Sequence, residues 1–154
     1  MADLDQHAHI LDCDGRLQRF VEDDALLEWA EENALNPGSA QMEALRRGII
    51  PSRYARNLSA LTLEEQQRLC GSTVLVCGCG GLGGILVQLL ARAGVGRLRI
   101  VDGDVFAPSN LNRQLFSDRT SLARAKAEVA AETLRIVNPF TSADAIRESF
   151  METN

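Results

Sequence analysis

The clearest pattern of hydrophobic and polar positions in this 154-residue chain lies between residues 73 and 104. Thr73–Cys77 is a β-branched, apolar run, which is typical of a parallel strand covered by helices on both faces. A helical pattern then spans about Gly83–Ala93 and ends at Gly94, and Arg97–Asp102 has the pattern of a second strand. The order of these elements predicts a βαβ unit.

The turn between the first strand and the helix matches G-x-G-x-x-G with Gly78, Gly80 and Gly83. Residues without a Cβ let the backbone reverse tightly and let a ligand approach the amides at the positive end of the helix. Asp102 lies 24 residues after Gly78, where an acid can accept hydrogen bonds from a ribose. These features predict a nucleotide site. The alternatives are that Gly81 and Gly84 only relieve packing and that Asp102 merely ends a strand.

Residues 1–50 differ in charge from the rest of the chain. They carry 11 acidic and 4 basic side chains, a net charge of −7, whereas residues 51–154 carry a net charge of +2. A hairpin around Asp14-Gly15 and two short helices, at about 22–33 and 39–47, are predicted in the acidic part. We therefore expect an acidic accessory extension over residues 1–50. The mildly basic domain over residues 51–154 suits a polyphosphate ligand better than general nucleic-acid binding.

Other classes of protein are disfavoured by what the sequence lacks. It contains no run of 18 apolar residues and begins with an acidic segment, so we expect a cytoplasmic protein without a membrane partner. The four cysteines include no C-x-x-C pair, so we predict no zinc site and assign no metal ligands. Cys77 and Cys79 are interpreted as buried side chains at the end of a strand.

A polar loop follows Asp102 and leads to a helix predicted from about Ser121 to Val137. The loop would lie at the carboxyl edge of the sheet, where open α/β sheets bind ligands. Lys126, in the first turns of the helix, is the only lysine among 16 basic side chains. Upstream, Arg53 and Arg56 are interpreted from the residues alone as a solvated pair, and Thr62 with Glu65 predicts a capped helix. Residues 141–154 show no clear pattern.

Five motifs together resemble a known family. RYARN, GCGGLGG, VDGD, SNLNRQ and then Lys126 occur in an order and spacing similar to the N-terminal half of the ThiF/MoeB/HesA family, relatives of ubiquitin-activating enzymes. The resemblance covers about residues 53–140. It implies an α/β fold with a Rossmann-like parallel sheet and flanking helices, incomplete here and preceded by the hairpin-plus-helices extension.

The resemblance also implies a function. Family members use ATP and Mg²⁺ to adenylate the C-terminal carboxylate of a ubiquitin-like sulfur carrier of the thiamine or molybdopterin type, and they work as homodimers. By this resemblance the glycine turn would lie under the nucleotide, Asp102 would hold the ribose, and Asp104 would approach the metal or shape the loop. Arg113 and Lys126 would offset phosphate charge, and Arg56 would act as an arginine finger from the second subunit. The complete expected nucleotide-binding set is Gly78, Gly80, Gly81, Gly83, Asp102, Asp104, Ser109, Asn110, Arg113, Gln114 and Lys126.

Several alternatives stay open at this point. The family's metal-binding aspartate, cysteine segment and zinc pairs correspond to positions after Asn154, so we expect weak ATP binding and little adenylation from these 154 residues alone. A family member acting on tRNA or a peptide is one alternative. A non-catalytic nucleotide-binding or interaction module is another. A nicotinamide-dependent oxidoreductase is less favoured, because it has no need for arginine, lysine and asparagine gathered beside the ribose acid.

Overall fold

A computed structural model describes residues 3–13 and 15–149, which divide into two compact units at Gly71 and Ser72. The first unit begins with a 3-10 helix, Leu4–His7, followed by strands β1 (His9–Cys13) and β2 (Arg16–Val21). These strands pair antiparallel as the predicted hairpin, with Gly15 at a φ of +78° in the turn. Asp14, the other predicted turn residue, lies outside the described residues.

The rest of the first unit is mainly helical. Helix α1 (Asp23–Glu32) and helix α2 (Pro37–Arg46) lead to a short strand, β3 (Ile49–Pro51), which pairs parallel with β2. A 3-10 helix, Ser52–Ser59, and helix α3 (Leu63–Cys70) complete the unit. Helix α2 begins earlier than predicted, because the Asn36 side chain caps it by accepting from the Ser39 amide and because proline suits the first helical position.

The core of the first unit forms where the hairpin meets the 3-10 helix and α3. Phe20, Leu45, Ile50, Tyr54 and Cys70 are buried together. The Tyr54 hydroxyl donates to Gln41 Oε1 at 2.7 Å, which satisfies both buried polar groups. Burial raises the pKa of the Cys70 thiol, so this thiol stays neutral and packs as an apolar side chain.

The second unit is the predicted βαβ unit with a third strand. Strand β4 (Thr73–Cys77), helix α4 (Gly81–Ala93) and strand β5 (Arg97–Val101) occur as expected, and Gly94 ends α4 at a φ of +101°. Helix α5 (Lys126–Val137) leads to strand β6 (Ser142–Ile146). The strands are parallel in the order β4-β5-β6, so β5 is central.

Two sequence expectations about this unit are wrong. Strand β4 is not covered on both faces, because Leu75 is 52% exposed and Cys77 is also exposed. Helix α5 begins at Lys126 rather than near Ser121, because Ala123 adopts a left-handed φ of +63° and Ala125 bridges to Val105. These contacts hold residues 122–125 against the loop that follows β5.

Helices α4 and α5 cover a single face of the sheet. Buried side chains on that face include Val76, Leu98 and Ile100, and the helices contribute Val87 and Leu134. The fully buried Asn138 joins the ends of the two helices, since its Nδ2 donates to the Ala91 carbonyl at 2.8 Å. No helix within the described residues has the length and apolar content needed to cross a bilayer.

Candidate nucleotide-binding site

The glycine turn between β4 and α4 is shaped by two positions that accept only glycine. Gly78 has a φ of +91°, a conformation that side chains disfavour. At Gly83 an added Cβ would lie 1.9 Å from the Gly78 carbonyl oxygen, far inside van der Waals contact. The turn is therefore tight because the chain's own packing requires it.

Two further glycines are not required by the chain itself. A Cβ at Gly80 would meet Gln114 Nε2 at 3.8 Å, and a Cβ at Gly81 would meet the Arg113 carbonyl at 3.7 Å, both ordinary contacts. Gly80 is also the N-cap of α4 and provides no side-chain cap. The helix therefore begins beside a bare backbone that a ligand can approach. Packing relief explains Gly84, where a Cβ would lie 3.2 Å from the Cys79 carbonyl, but not Gly81.

Asp102 lies just after β5 and is tied to the glycine turn. It is 9% exposed, and its Oδ2 accepts from the Cys79 amide at 2.6 Å while Oδ1 accepts from the Asp104 amide at 2.8 Å. A carboxylate can accept about four hydrogen bonds, so these two leave room for ribose hydroxyls. Asp102 therefore does more than end a strand, because it fixes the turn and the following loop to each other.

The two cysteines beside Gly78 differ. Burial, and then the charge of Asp102, raise the pKa of Cys79 to about 12, so its thiol is neutral at physiological pH. This agrees with the prediction of an inert core side chain. Cys77 is exposed, so the prediction of burial is wrong there, because the face of β4 that carries it is uncovered.

Lys126 is the first residue of α5 and lies beside Asp104. Its Nζ donates to Asp104 Oδ2 at 2.9 Å, and its backbone amide donates to the Asp104 carbonyl at 3.0 Å. The Lys126 side chain is 8% exposed, whereas that of Asp104 is 75% exposed. A buried cation at the positive end of a helix is unfavourable by itself, and the ion pair with Asp104 offsets that cost.

The loop after Asp104 presents Arg113, which has no carboxylate partner among residues 3–13 and 15–149. Its guanidinium donates to the Ser109 carbonyl and, at 3.2 Å, to Asn112 Oδ1, both neutral acceptors. Asn110 is buried and holds the loop, because its Oδ1 accepts from the Ala107 amide at 2.9 Å. Arg113 is thus exposed and keeps its charge available, while Asn110 already has a structural role.

Gln114 carries an unsatisfied polar atom next to the turn. Its side chain is buried, and its Oε1 has no hydrogen-bond partner among the described residues. An orphan buried acceptor costs free energy unless a donor arrives, and its amide lies against Gly80. The sequence does not reveal this feature, because it depends on side-chain placement.

The structure places the expected site residues in two groups. All of them except Arg56 lie in the second unit, around the glycine turn, the Asp102 loop and the start of α5. Arg56 lies in the first unit, on the 3-10 helix Ser52–Ser59, and is exposed. Its neighbour Arg53 is not a solvated residue as predicted, because it pairs with Asp23 through hydrogen bonds of 2.9 and 3.1 Å.

Two residues at the candidate site were not predicted from the sequence. The first is Cys79, whose backbone amide donates to Asp102. Its position between the motif glycines Gly78 and Gly80 is the sequence feature that could have indicated this role. Phe116 is the other, because its ring lies 3.4 Å from a Cβ built at Gly84. As for metals, the described residues contain no group of three potential metal-ligating side chains.

Comparisons with known proteins point to one family. A family model described as the ThiF family matches residues 54–154. The "Adenylyltransferase and sulfurtransferase MOCS3" of Mus musculus is 47% identical over 104 residues, which cover 66% of this chain and 22% of that protein. The "SAMP-activating enzyme E1" of Haloferax volcanii is 39% identical over 104 residues, covering 66% of this chain and 38% of that protein. The chain therefore spans about a fifth to two fifths of these relatives.

Solved structures give the same result for the fold. E. coli tRNA N6-threonylcarbamoyladenosine dehydratase, TcdA, in complex with ATP, matches with a TM-score of 0.64 and 29% identity, covering 66% of this chain and 42% of that chain. E. coli MccB with AMPCPP and MccA matches with a TM-score of 0.59 and 27% identity, covering 66% and 32%. These similarities confirm the α/β class with a parallel sheet and flanking helices.

Proposed function

We propose, because this chain belongs to the ThiF family, that it is the ATP-binding portion of an adenylyltransferase. The substrate would be the C-terminal carboxylate of a ubiquitin-like sulfur carrier, which becomes an acyl-adenylate. The observation that carries the proposal is the pair of cations in the second unit, Arg113 and Lys126, in the segment that follows the ribose acid Asp102. A nicotinamide enzyme would need the acid and the glycine turn but not these two cations.

The reaction would join a carboxylate oxygen to the α-phosphorus of ATP and break the bond to the β-phosphate, releasing pyrophosphate. Both reactants are anionic, so catalysis would rest on positioning and charge neutralisation. Asp102, held by two backbone amides, would orient the ribose. The bare amides at Gly80 and Gly81 and the cations Arg113 and Lys126 would offset the charge on the phosphates.

Mg²⁺ stays a prediction of the family resemblance. The exposed carboxylate of Asp104 is available near the start of α5, but it already pairs with Lys126. The described residues hold no group of three ligands and so do not form a Mg²⁺ site by themselves. Most ligands of such an ion would have to be phosphate oxygens and water.

The acceptor is proposed from the relatives' names. MOCS3 is named an adenylyltransferase and sulfurtransferase, and the Haloferax protein is named a SAMP-activating enzyme. These relatives are 47% and 39% identical, whereas TcdA, named a tRNA dehydratase, and MccB are 29% and 27% identical. The balance favours a sulfur carrier over tRNA or a peptide.

A homodimer with Arg56 acting across the subunits is part of the proposal. Arg56 is exposed on the first unit and forms no ion pair with any described residue. Helix α4 also exposes an apolar stripe to solvent, which is typical of surfaces that other proteins cover. The stripe consists of Leu82, Ile85, Leu86 and Leu89. Both features support an assembly larger than one chain.

Calorimetric titration of the Arg113→Ala variant tests the proposal. Because the guanidinium would serve the phosphates, ATP affinity should fall by roughly tenfold to a hundredfold, as for loss of charge-assisted hydrogen bonds, while AMP affinity changes little. Arg119→Ala, an exposed arginine in the same unit, is the matched control and should bind both nucleotides normally. Equal losses for ATP and AMP, or tighter binding of NAD than of ATP by the unaltered protein, would contradict the assignment.

A further inference from the structure

A cavity of about 600 Å³ lies entirely within the first unit. The β1–β2 hairpin forms one wall and the 3-10 helix Ser52–Ser59 forms the other. Most of its lining side chains can form hydrogen bonds or carry charge. They include Asp12, Cys13, Arg16, Gln18, Arg56 and Ser59.

The core of the unit explains why the two arginines meet there. Side chains alternate along a strand, so Arg16, Gln18 and Phe20 share one face of β2. Phe20 is buried against Tyr54, which belongs to the same 3-10 helix as Arg56. The hairpin register places Cys13 opposite Arg16, and Cys13 packs at the margin of that core. The packing of Phe20 on Tyr54 therefore fixes the hairpin next to the 3-10 helix, so that Arg16 and Arg56 line the same cavity.

Most arginines of the first unit form ion pairs, whereas Arg16, Arg56 and Arg68 form none with the described residues, and of these three only Arg16 and Arg56 line the cavity. In an acidic extension, Arg19 pairs with Asp5, Arg47 with Glu43 at 2.8 Å, and Arg53 with Asp23. Neither Arg16 nor Arg56 forms an ion pair within residues 3–13 and 15–149, although carboxylates are plentiful.

One acid, Asp12, lies in the cavity wall. Its carboxylate accepts the Gly15 amide at 2.7 Å and so helps to shape the turn. Arg16 and Arg56, which form no ion pair with any described residue, line the same cavity, and an anion placed between their guanidinium groups would be attracted to both.

We propose that this cavity binds a phosphate oxyanion, with Arg16 and Arg56 as its two guanidinium ligands. The inference rests on the proposed function in one respect, since Arg56 is there assigned to the phosphates of ATP on a second subunit. The new element is Arg16, which lies on the hairpin, outside the family-matched residues 54–154. The oxyanion has two possible sources, namely the phosphate tail of a nucleotide held by another copy and free pyrophosphate.

Alkylation of Cys13 provides a direct test, because this thiol lines the cavity. The full chain is treated with N-ethylmaleimide, with and without pyrophosphate, and the modification of each cysteine is followed by mass spectrometry. Pyrophosphate should slow alkylation of Cys13 while that of the exposed Cys77 on β4 stays unchanged. In Arg16→Gln and Arg56→Gln, the pyrophosphate concentration that gives half protection should rise roughly tenfold.

Arg68→Gln is the matched control, since Arg68 is an exposed arginine of the same unit that does not line the cavity. It should keep the protection of the unaltered protein. Failure of pyrophosphate to protect Cys13 in the unaltered protein would overturn the site. The same half-protecting concentration in Arg16→Gln as in the unaltered protein would overturn the role of Arg16.

The Asp102→Ala variant distinguishes the two sources. If pyrophosphate protects Cys13 equally in this variant, the cavity binds the free anion. If AMPCPP protects the unaltered protein but not this variant, the oxyanion is the tail of a nucleotide held by a second copy. Either pattern supports the site. Titration with AMP distinguishes failure of this proposal from failure of the proposed function. AMP lacks the outer phosphates, so it does not depend on the cavity. If AMP does not bind, the proposed function is contradicted, whereas protection of Cys13 by pyrophosphate is unaffected.

Discussion

The glycines of the turn differ in whether the fold itself excludes a side chain at their positions. Gly83 faces the carbonyl of Gly78 across a gap with no room for a methyl group, whereas Gly81 has ordinary space around its Cα. The first is a requirement of the fold. The second becomes a requirement only when a ligand lies against the backbone, which makes the two positions a natural pair for separating stability from binding.

Replacing each glycine by alanine should therefore give opposite results. Gly83→Ala should lower the free energy of unfolding by about 2 kcal/mol or more, because the added methyl group overlaps backbone. Gly81→Ala should leave stability unchanged or raise it by up to about 1 kcal/mol, while weakening ATP binding. Urea unfolding and calorimetry measure the two quantities. A stable Gly83→Ala protein, or normal ATP affinity in Gly81→Ala, would refute this division of roles.

Gln114 is a second residue at which stability and binding oppose each other. Its buried Oε1 lacks a partner, so Gln114→Met should stabilise the unliganded chain by about 1 kcal/mol and weaken ATP binding. Gln88→Met, on the half-exposed side of α4, is the control and should change neither by much. Thermal unfolding with and without ATP reports both effects. A Gln114→Met protein that binds ATP as tightly as before would show that the orphan oxygen does not contact the nucleotide.

At the scale of elements, α3 is the clearest case of a helix set by its own sequence. Thr62 accepts from the Glu65 amide, and Glu65 accepts from the Thr62 amide at 2.8 Å, which completes a capping box. The Thr62 amide and then the Thr62 hydroxyl, which both donate to the Glu65 carboxylate, hold the pKa of Glu65 below its usual value of 4.5. A carboxylate with a lowered pKa stabilises the fold above its unfolded pKa, and this contribution is lost as pH falls through the folded pKa.

The Thr62→Ala variant should destabilise α3 by about 1 kcal/mol and raise the pKa of Glu65 part of the way towards 4.5, because it removes the hydrogen bond from the hydroxyl but keeps the one from the backbone amide. NMR titration of the Glu65 carboxyl between pH 2 and 7 measures the shift. Glu64→Gln removes a charge from the same first turn without altering the capping box, so the pKa of Glu65 should stay low. A pKa of Glu65 that is the same in Thr62→Ala as in the unaltered protein would mean that the Thr62 hydroxyl does not lower it.

The elements found from sequence are those whose signals are local. The β-branched run of β4, the glycines around α4 and the capping box of α3 each act within a few residues, and all appear in the structure. Strand β6 was missed because SADAI has no strand pattern and is held by pairing with β5, including an ion pair between Arg97 and Asp144 at 2.7 Å. The start of α5 and the exposure of Leu75 also depend on what packs nearby.

The same reasoning applies to the site. The glycine turn and Asp102 follow from motif spacing, because a turn and a strand end are local features, whereas Arg113 and Lys126 follow from the family resemblance. The hydrogen bonds from Cys79 and Asp104 to Asp102, and the unpaired oxygen of Gln114, depend on how distant segments meet. Sequence therefore predicts which residues would surround a nucleotide but not which of their polar atoms already have partners within the protein.

For the whole molecule, the central expectation is that Arg56 of one chain completes the site of another. Mixing Arg56→Ala protein with Asp102→Ala protein, each in a longer chain that also carries the downstream family segments, tests this, because each hybrid dimer has one site in which both residues are intact. Random pairing should restore about a quarter of wild-type activity, whereas each variant alone is nearly inactive. ATP–pyrophosphate exchange in the presence of a ubiquitin-like carrier is the measurement. No recovery on mixing would argue that Arg56 acts within its own chain or not at all.

The pairing of Lys126 with Asp104 has a practical consequence. Lys126 carries the single side-chain amine of these 154 residues and is largely buried beside the glycine turn's acid loop. Amine-directed reagents, such as acylating dyes or isotopically coded cross-linkers, can therefore modify only one lysine in this sequence. The rate at which that lysine is modified in the purified protein, followed by mass spectrometry, therefore reports how often the loop moves away from it.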